Sequence, residues 1–284
     1  MSRPPKLVGV SGLDDFDDVR RDPDPIRRGK RATALMAIYQ QRATELARLR
    51  REAIEEAHRS AGLTYTEIAT ALGITKGRVT QIRSGAPAKE RAFFGVGPVS
   101  VGVPLRVGTD DRMRTYVDAA DLATQQATEA LLATVALAAE PFTIAPDATT
   151  IPDGDVVIIC GPKSAPIGAE LLDSDPRLGM VREDGRWWIV DKATGERHGS
   201  PMGDDPAGAA DIGYLSRRQD GDRIVVHVAG IHSPGSGGVV HFLSGNLPEL
   251  FTGRGGESFS MVVRCDLDGT TVTGSEIVTG PLAW

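Results

Sequence analysis

The sequence predicts an α+β multidomain chain: an all-α N-terminal domain, then an α/β domain built on an open sheet with an antiparallel edge. Three observations predict it. Residues 26–60 are filled with helix formers, interrupted only by Gly29 near the start. Near Ala88 the composition turns from Arg, Ala and Leu to Val, Gly, Asp and Pro. Beyond that point two apolar runs, Asp155–Cys160 and Arg223–Ala229, have the character of buried parallel strands. Each leads through a Gly- and Ser-containing loop towards a helix.

The bulk properties bound the class. The chain has 284 residues, enough for two domains, and a formal net charge of −6. That charge is unevenly divided. Residues 1–92 carry 18 Lys+Arg against 12 Asp+Glu, a net of +6, which leaves −12 for residues 93–284. A basic module joined to an acidic one suits a nucleic-acid reader with a separate effector domain. Cys160 and Cys265 are the only cysteines, so neither a disulfide framework nor a zinc site is indicated. No apolar run reaches the length of a membrane span and no signal peptide is evident, so a cytoplasmic protein without a membrane partner is expected.

The elements follow in order. Residues 1–25, rich in Pro, Asp and Arg, are expected to be a disordered arm. One long helix should run from Ile26 to Ser60, longer than a supporting helix needs, and serve as a dimerisation arm or a spacer. In residues 63–85, Thr64 and Glu67 form a capping box, and Ile68, Ala69 and Leu72 share one face. Gly73 permits a positive φ at the turn, and Thr75 is the N-cap of a second helix. Val79 and Ile82 point back at the first helix. Residues 86–95 are a short connector. The α/β domain, residues 96–284, should contain strands at Pro98–Arg106, Pro141–Ala145, Asp155–Cys160, Arg186–Val190, Asp211–Ser216 and Arg223–Ala229. Helices are expected at Thr115–Ala139, Ile167–Leu172 and Val239–Phe251, with a closing hairpin over Phe259–Val278 turning at Asp268-Gly269.

The window 63–85 resembles the helix-turn-helix of bacterial repressors and of the promoter-reading region of sigma factors. The resemblance rests on Glu67-Ile68-Ala69, Gly73, Ile74, Val79 and Ile82. Gly77, early in the second helix, departs from the pattern and costs about 1 kcal/mol of helix stability relative to Ala. The resemblance implies a DNA-binding domain over residues 26–88. Thr75, Lys76, Arg78, Thr80, Gln81 and Arg83 would then face the bases and phosphates of double-stranded DNA. Such proteins commonly read two half-sites, which favours a homodimer. The plainer alternatives are a helical hairpin in a core and a helix pair used for protein contact.

A second candidate site lies in the α/β half, whose pattern resembles a Rossmann-like sheet and no narrower family. Both loops after the apolar strands, GPKSAP and GIHSPGSGG, lie where open sheets bind ligands. Gly161, Lys163, Ser164, His232, Ser233, Gly235, Ser236 and Gly237 are the candidate ligand-binding residues, for a small anionic, nucleotide-like molecule. The plainer reading is a pair of tight strand-to-helix turns. Neither loop is a Walker A or a G-x-G-x-x-G motif. Asp191, His198 and Ser200 are expected in a loop covering this cleft. His227 and His241 are expected to be structural.

The expected function is a DNA-binding transcriptional regulator whose α/β domain senses the small ligand or a protein partner, with no catalytic residue, cofactor or metal. One alternative is an enzyme acting on a nucleotide or sugar phosphate and targeted to DNA, with Lys163, His232 and Ser233 as its candidate groups. Another is a sigma-like accessory of RNA polymerase.

Overall fold

The computed structural model describes residues 12–109, 112–204, 208–254 and 256–284. It opens with α1 (Gly12–Arg21), so the stretch expected to be disordered over residues 1–25 carries a helix in its second half. Residues 1–11 lie outside the described residues. Charge pairing holds α1 and the turn after it against the helix that follows, with Asp18 3.9 Å from Arg31. The buried Asp22 carboxylate accepts from Arg27 at 2.7 and 2.8 Å and from Arg31 at 3.3 Å. Its bond to Arg27, above all, holds it well below the usual carboxylate range. Asp24 then caps α2 (Pro25–Ser60), accepting from the amides of Ile26 and Arg27, with Pro25 at the first helical position. At 36 residues, α2 is about 54 Å long.

Helices α3 (Tyr65–Ala71) and α4 (Lys76–Gly85) follow at the expected N-caps. The Thr64 amide donates to Glu67 at 2.8 Å and the Glu67 amide donates to the Thr64 hydroxyl at 3.3 Å, the reciprocal pair of a capping box. Gly73, with φ of +65°, makes the turn between the helices. Ile68 and Ala69 of α3, Val79 and Ile82 of α4 and Ile54 of α2 bury one another in a small separate core.

The connector is where the structure departs most from the expected boundary near Ala88. Residues 89–93 form a short 3-10 turn, and Phe93 and Phe94 are fully buried in the main core of the α/β half. Arg91, with no solvent exposure, donates to the carbonyls of Ala136 and Val96 and to the side chain of Gln41 on α2 at 2.7 Å; Glu45 lies 3.5 Å away. Burial pushes its pKa down, and Glu45 opposes the shift. The buried Arg217 donates to the carbonyls of Ala92, Phe93, Gly256 and Glu257 at 2.8–3.1 Å. Asp155 accepts from the amides of Val96, Gly97 and Ile224 at 2.7–2.8 Å. An apolar linker with charges reads as solvated; here the charges are the fastening.

The remaining elements are β1 (Val99–Pro104), β2 (Arg106–Thr109), β3 (Met113–Tyr116), α5 (Ala119–Thr134), β4 (Ala139–Ile144), β5 (Val156–Ile159) and α6 (Pro166–Asp173). Then come β6 (Leu178–Glu183), β7 (Arg186–Asp191), β8 (Arg197–Gly199), β9 (Ala210–Asp220), β10 (Arg223–Gly230), α7 (Ser233–Arg254), β11 (Phe259–Asp268) and β12 (Thr271–Ala283). The main sheet has seven strands in the order β12-β11-β9-β10-β5-β1-β4. Strands β10, β5, β1 and β4 are parallel, and β9, β11 and β12 antiparallel. The expected mixed sheet is therefore present, with three antiparallel strands rather than a terminal hairpin alone. Helices α5 and α7 cover one face. The other is covered by α6 and by a small sheet of β6, β7 and β8.

Helix α7 begins at Ser233, six residues before the expected Val239. The segment Gly235-Ser236-Gly237-Gly238 has poor intrinsic helix propensity, and packing overrides it. A Cβ on Gly235 would lie 2.5 Å from the Ile212 carbonyl oxygen, and one on Gly238 2.4 Å from Cys265 Cβ. The small residues let the helix lie against β9 and β11.

Replacing Arg91 with Ala should destabilise the chain by about 3–5 kcal/mol, because it leaves several buried carbonyls and the Gln41 side chain without their donor, while Glu45 keeps Arg48. Urea unfolding of the full chain measures this. A loss below about 1 kcal/mol would show that the junction does not depend on the guanidinium.

Candidate functional site

On α4 the side chains of Lys76, Arg78, Thr80, Gln81, Arg83 and Ser84 are exposed, while Val79 and Ile82 are buried. Several of the exposed residues are held. The Arg78 guanidinium donates to Gln81 Oε1 at 3.2 Å, and the Arg83 guanidinium stacks 4.3 Å above the Tyr65 ring. Thr75 is engaged locally, its hydroxyl accepting from the Arg78 amide at 3.1 Å as the N-cap. A Cβ on Gly77 would meet only Thr75 Oγ1, at 3.9 Å, so packing does not demand a glycine there.

The two candidate loops meet. Strands β5 and β10 are parallel neighbours, with Ile159 paired to Val228, so both loops leave the same edge of the sheet. Between them and the end of β1 lies a cavity of about 400 Å³. Gly161, Lys163, Ser164, His232, Ser233 and Ser236 line it. Gly235 and Gly237 do not. They belong to the first turns of α7, where Gly235 packs on the backbone of β9 and β10.

The N-terminus of α7 already holds an anion, and it is the protein's own. The fully buried Asp211 carboxylate accepts from the amides of Gly235 at 2.8 Å, His232 at 3.1 Å and Ile212 at 2.8 Å. An internal carboxylate thus already occupies part of the helix N-terminus expected to cradle a ligand, taking the Gly235 amide. His232 Nδ1 lies 3.3 Å from Asp211 Oδ1 and 3.2 Å from Ser200 Oγ. Ser236 Oγ accepts from the Gly230 amide at 2.8 Å.

Lys163 is solvent-exposed as a residue, though its ammonium is partly desolvated. Its ammonium donates to the Ile231 carbonyl and sits 5.8 Å from the Trp187 ring centroid. Burial lowers its pKa, and the nearby Asp211 opposes the shift. Cys160 lines the same cavity, but burial pushes its thiol up to about 12, so it supplies no thiolate.

The sequence reading missed Arg106, Asp118 and Asp121, which complete the cavity wall. Arg106 donates to Asp121 at 2.7 Å and to Ser233 at 3.3 Å. The position of Arg106 at the carboxyl end of a predicted strand was the available signal. The expected covering loop is instead folded. Asp191 ends β7 and caps the turn at Ala193 and Thr194, and His198 in β8 is 2.9 Å from Thr279 Oγ1. Of that group only Ser200 touches a residue of the cavity wall, its Oγ 3.2 Å from His232 Nδ1. His227 is buried in β10, its Nε2 2.7 Å from the Cys160 carbonyl. His241 on α7 is 2.7 Å from Ser275 Oγ.

The sequence matches no family model, and no curated protein matches it. Among the described residues, no helix is long and apolar enough to cross a membrane.

Burial lowers the pKa of His227 from 6.5 to about 4, and its Nδ1 has no hydrogen-bond partner. The unfolded chain therefore takes up the proton first, so stability should fall as pH drops from about 6.5 to about 4. Comparing unfolding midpoints of the native chain and His227→Gln across that window checks the sign; identical slopes would exclude the histidine as the source. Gly235→Ala should cost about 1–3 kcal/mol by overpacking α7 on β9. A thermal midpoint equal to that of the native chain would show that the helix can shift outward freely.

Proposed function

We propose that the chain is a DNA-binding transcriptional regulator. Helices α3 and α4 form a helix-turn-helix, α4 enters the major groove, and the α/β domain senses a small anionic ligand in the cleft. The observation that carries this reading is the face of α4. All six residues expected to contact DNA are exposed, five of them on a helix whose apolar side is sealed by α2 and α3.

The excess of positive charge in residues 1–92 supports it, because phosphate contacts supply much of the affinity. The acidic remainder of the chain would be repelled by the duplex. Exposed apolar residues on α2, including Met36 at 62% and Leu46 at 65%, support a homodimer that reads two half-sites. Ligand binding alters DNA affinity only if the ligand prefers one arrangement of the dimer.

A second reading, an enzyme directed to DNA, is favoured by one contact. A buried carboxylate, Asp211, lies beside His232 Nδ1, and this is how a general base is oriented. His232→Gln would abolish turnover of a phosphorylated substrate under that reading and leave DNA binding untouched.

Selection from a random duplex library should return a preferred operator for the native protein. Arg78→Ala combined with Gln81→Ala should weaken binding to that operator at least about a hundredfold, with the unfolding transition preserved. Operator binding by the double variant equal to that of the native chain would sink the proposal, as would a native chain with no sequence preference.

A further inference from the structure

We infer that the ribbon of β2 and β3 forms the outer wall of the cleft, and that the ligand is a nucleoside monophosphate with its base on Tyr116 and its phosphate on Lys163. This rests on reading the cleft as a ligand-sensing site. The register of the ribbon pairs Arg106 with Tyr116 and Gly108 with Arg114. Directly opposed residues share a face, so Arg106, Tyr116 and Arg114 project to one side. Arg106 shows which side that is. Its guanidinium reaches Asp121 and Ser233 in the cavity wall.

Tyr116 is built as a platform. A Cβ on Gly108 would lie 3.1 Å from the tyrosine ring, so the ring lies across the glycine. Residue 116 is nonetheless 49% exposed. A side chain with one face on its neighbour and the other open suits a flat aromatic group, and such stacking tolerates any base.

The charges select the other end of the ligand. Arg106 is offset by Asp121, and the α7 N-terminus by Asp211. Among the described residues, Lys163 forms no ion pair, and its cavity neighbours include the hydroxyls of Ser164 and Ser233. A cation that makes no direct ion pair, set beside hydroxyls, fits a single phosphate. A triphosphate would place further negative charge against Asp118 and Asp121 in the same wall. The cavity volume lies in the range of small-ligand sites.

Titration calorimetry on the full chain tests this, with the four common nucleoside monophosphates, ATP, ribose phosphate and inorganic phosphate as probes. A nucleoside monophosphate should bind more tightly than ribose phosphate or ATP. Tyr116→Ala should weaken it about tenfold to a hundredfold and leave ribose phosphate unchanged, while Tyr116→Phe retains the native affinity. Lys163→Met should remove binding of both. Equal affinity for nucleoside monophosphate and ribose phosphate, tighter binding of ATP, or no effect of Tyr116→Ala overturns the inference while leaving a phosphate-sensing cleft in place. Failure of every phosphate probe to bind overturns the cleft's sensing role as well.

Discussion

A charge with no access to water must be met on every side, and Arg91 imposes that requirement on three parts of the chain at once. Its partners come from α2, from the turn after α5 and from the backbone entering β1. None of these segments is near another in sequence. The guanidinium is tolerable only when all are in place, so its burial ties their folding together. Arg217 makes the same demand on the connector and on the backbone before β11. Asp155 supplies the opposite charge between β5, β10 and the start of β1. The helical part and the sheet are consequently joined through a polar core, with Phe93 and Phe94 as its apolar backing.

Much of the fold could be read from local signals. The capping box at Thr64, the N-cap at Thr75 and the strands at residues 155–160 and 223–229 are each specified by a short run of residues, and each formed where expected. What failed were places where packing or charge pairing with another element decides. The acidic stretch before Pro25 became helical because arginines of α2 lie alongside it. The glycines after His232 became helix because β9 and β11 leave room for nothing larger. The connector became core because its arginine found acceptors far along the chain. In the cleft, the loop residues were legible from strand-end logic, whereas Asp121 sits on a helix whose pattern shows only its apolar spacing.

The cleft also shows how a protein can hold cationic and dipolar elements without advertising them. Asp211 occupies the helix terminus that an external anion would otherwise use, and Asp121 occupies Arg106. Both internal anions lower the attraction for multiply charged ligands. What remains in the cavity wall is the Lys163 ammonium and the hydroxyls of Ser164 and Ser233.

The cleft and the helical module sit at opposite ends of the parallel strands, and α2 joins the sheet only part-way along its length. Its anchor is at Gln41 and Glu45, and it meets α3 and α4 at Ile54 and Ala57. From Glu45 to Ala57, twelve residue steps, the helix is a rod of about 18 Å. A tilt of about 10° at the anchor swings the far end through about 3 Å, the length of one hydrogen bond. The long helix is in this sense a mechanical lever: motion too slight to disturb the sheet becomes, at its tip, a displacement of α3 and α4 as large as a hydrogen bond is long.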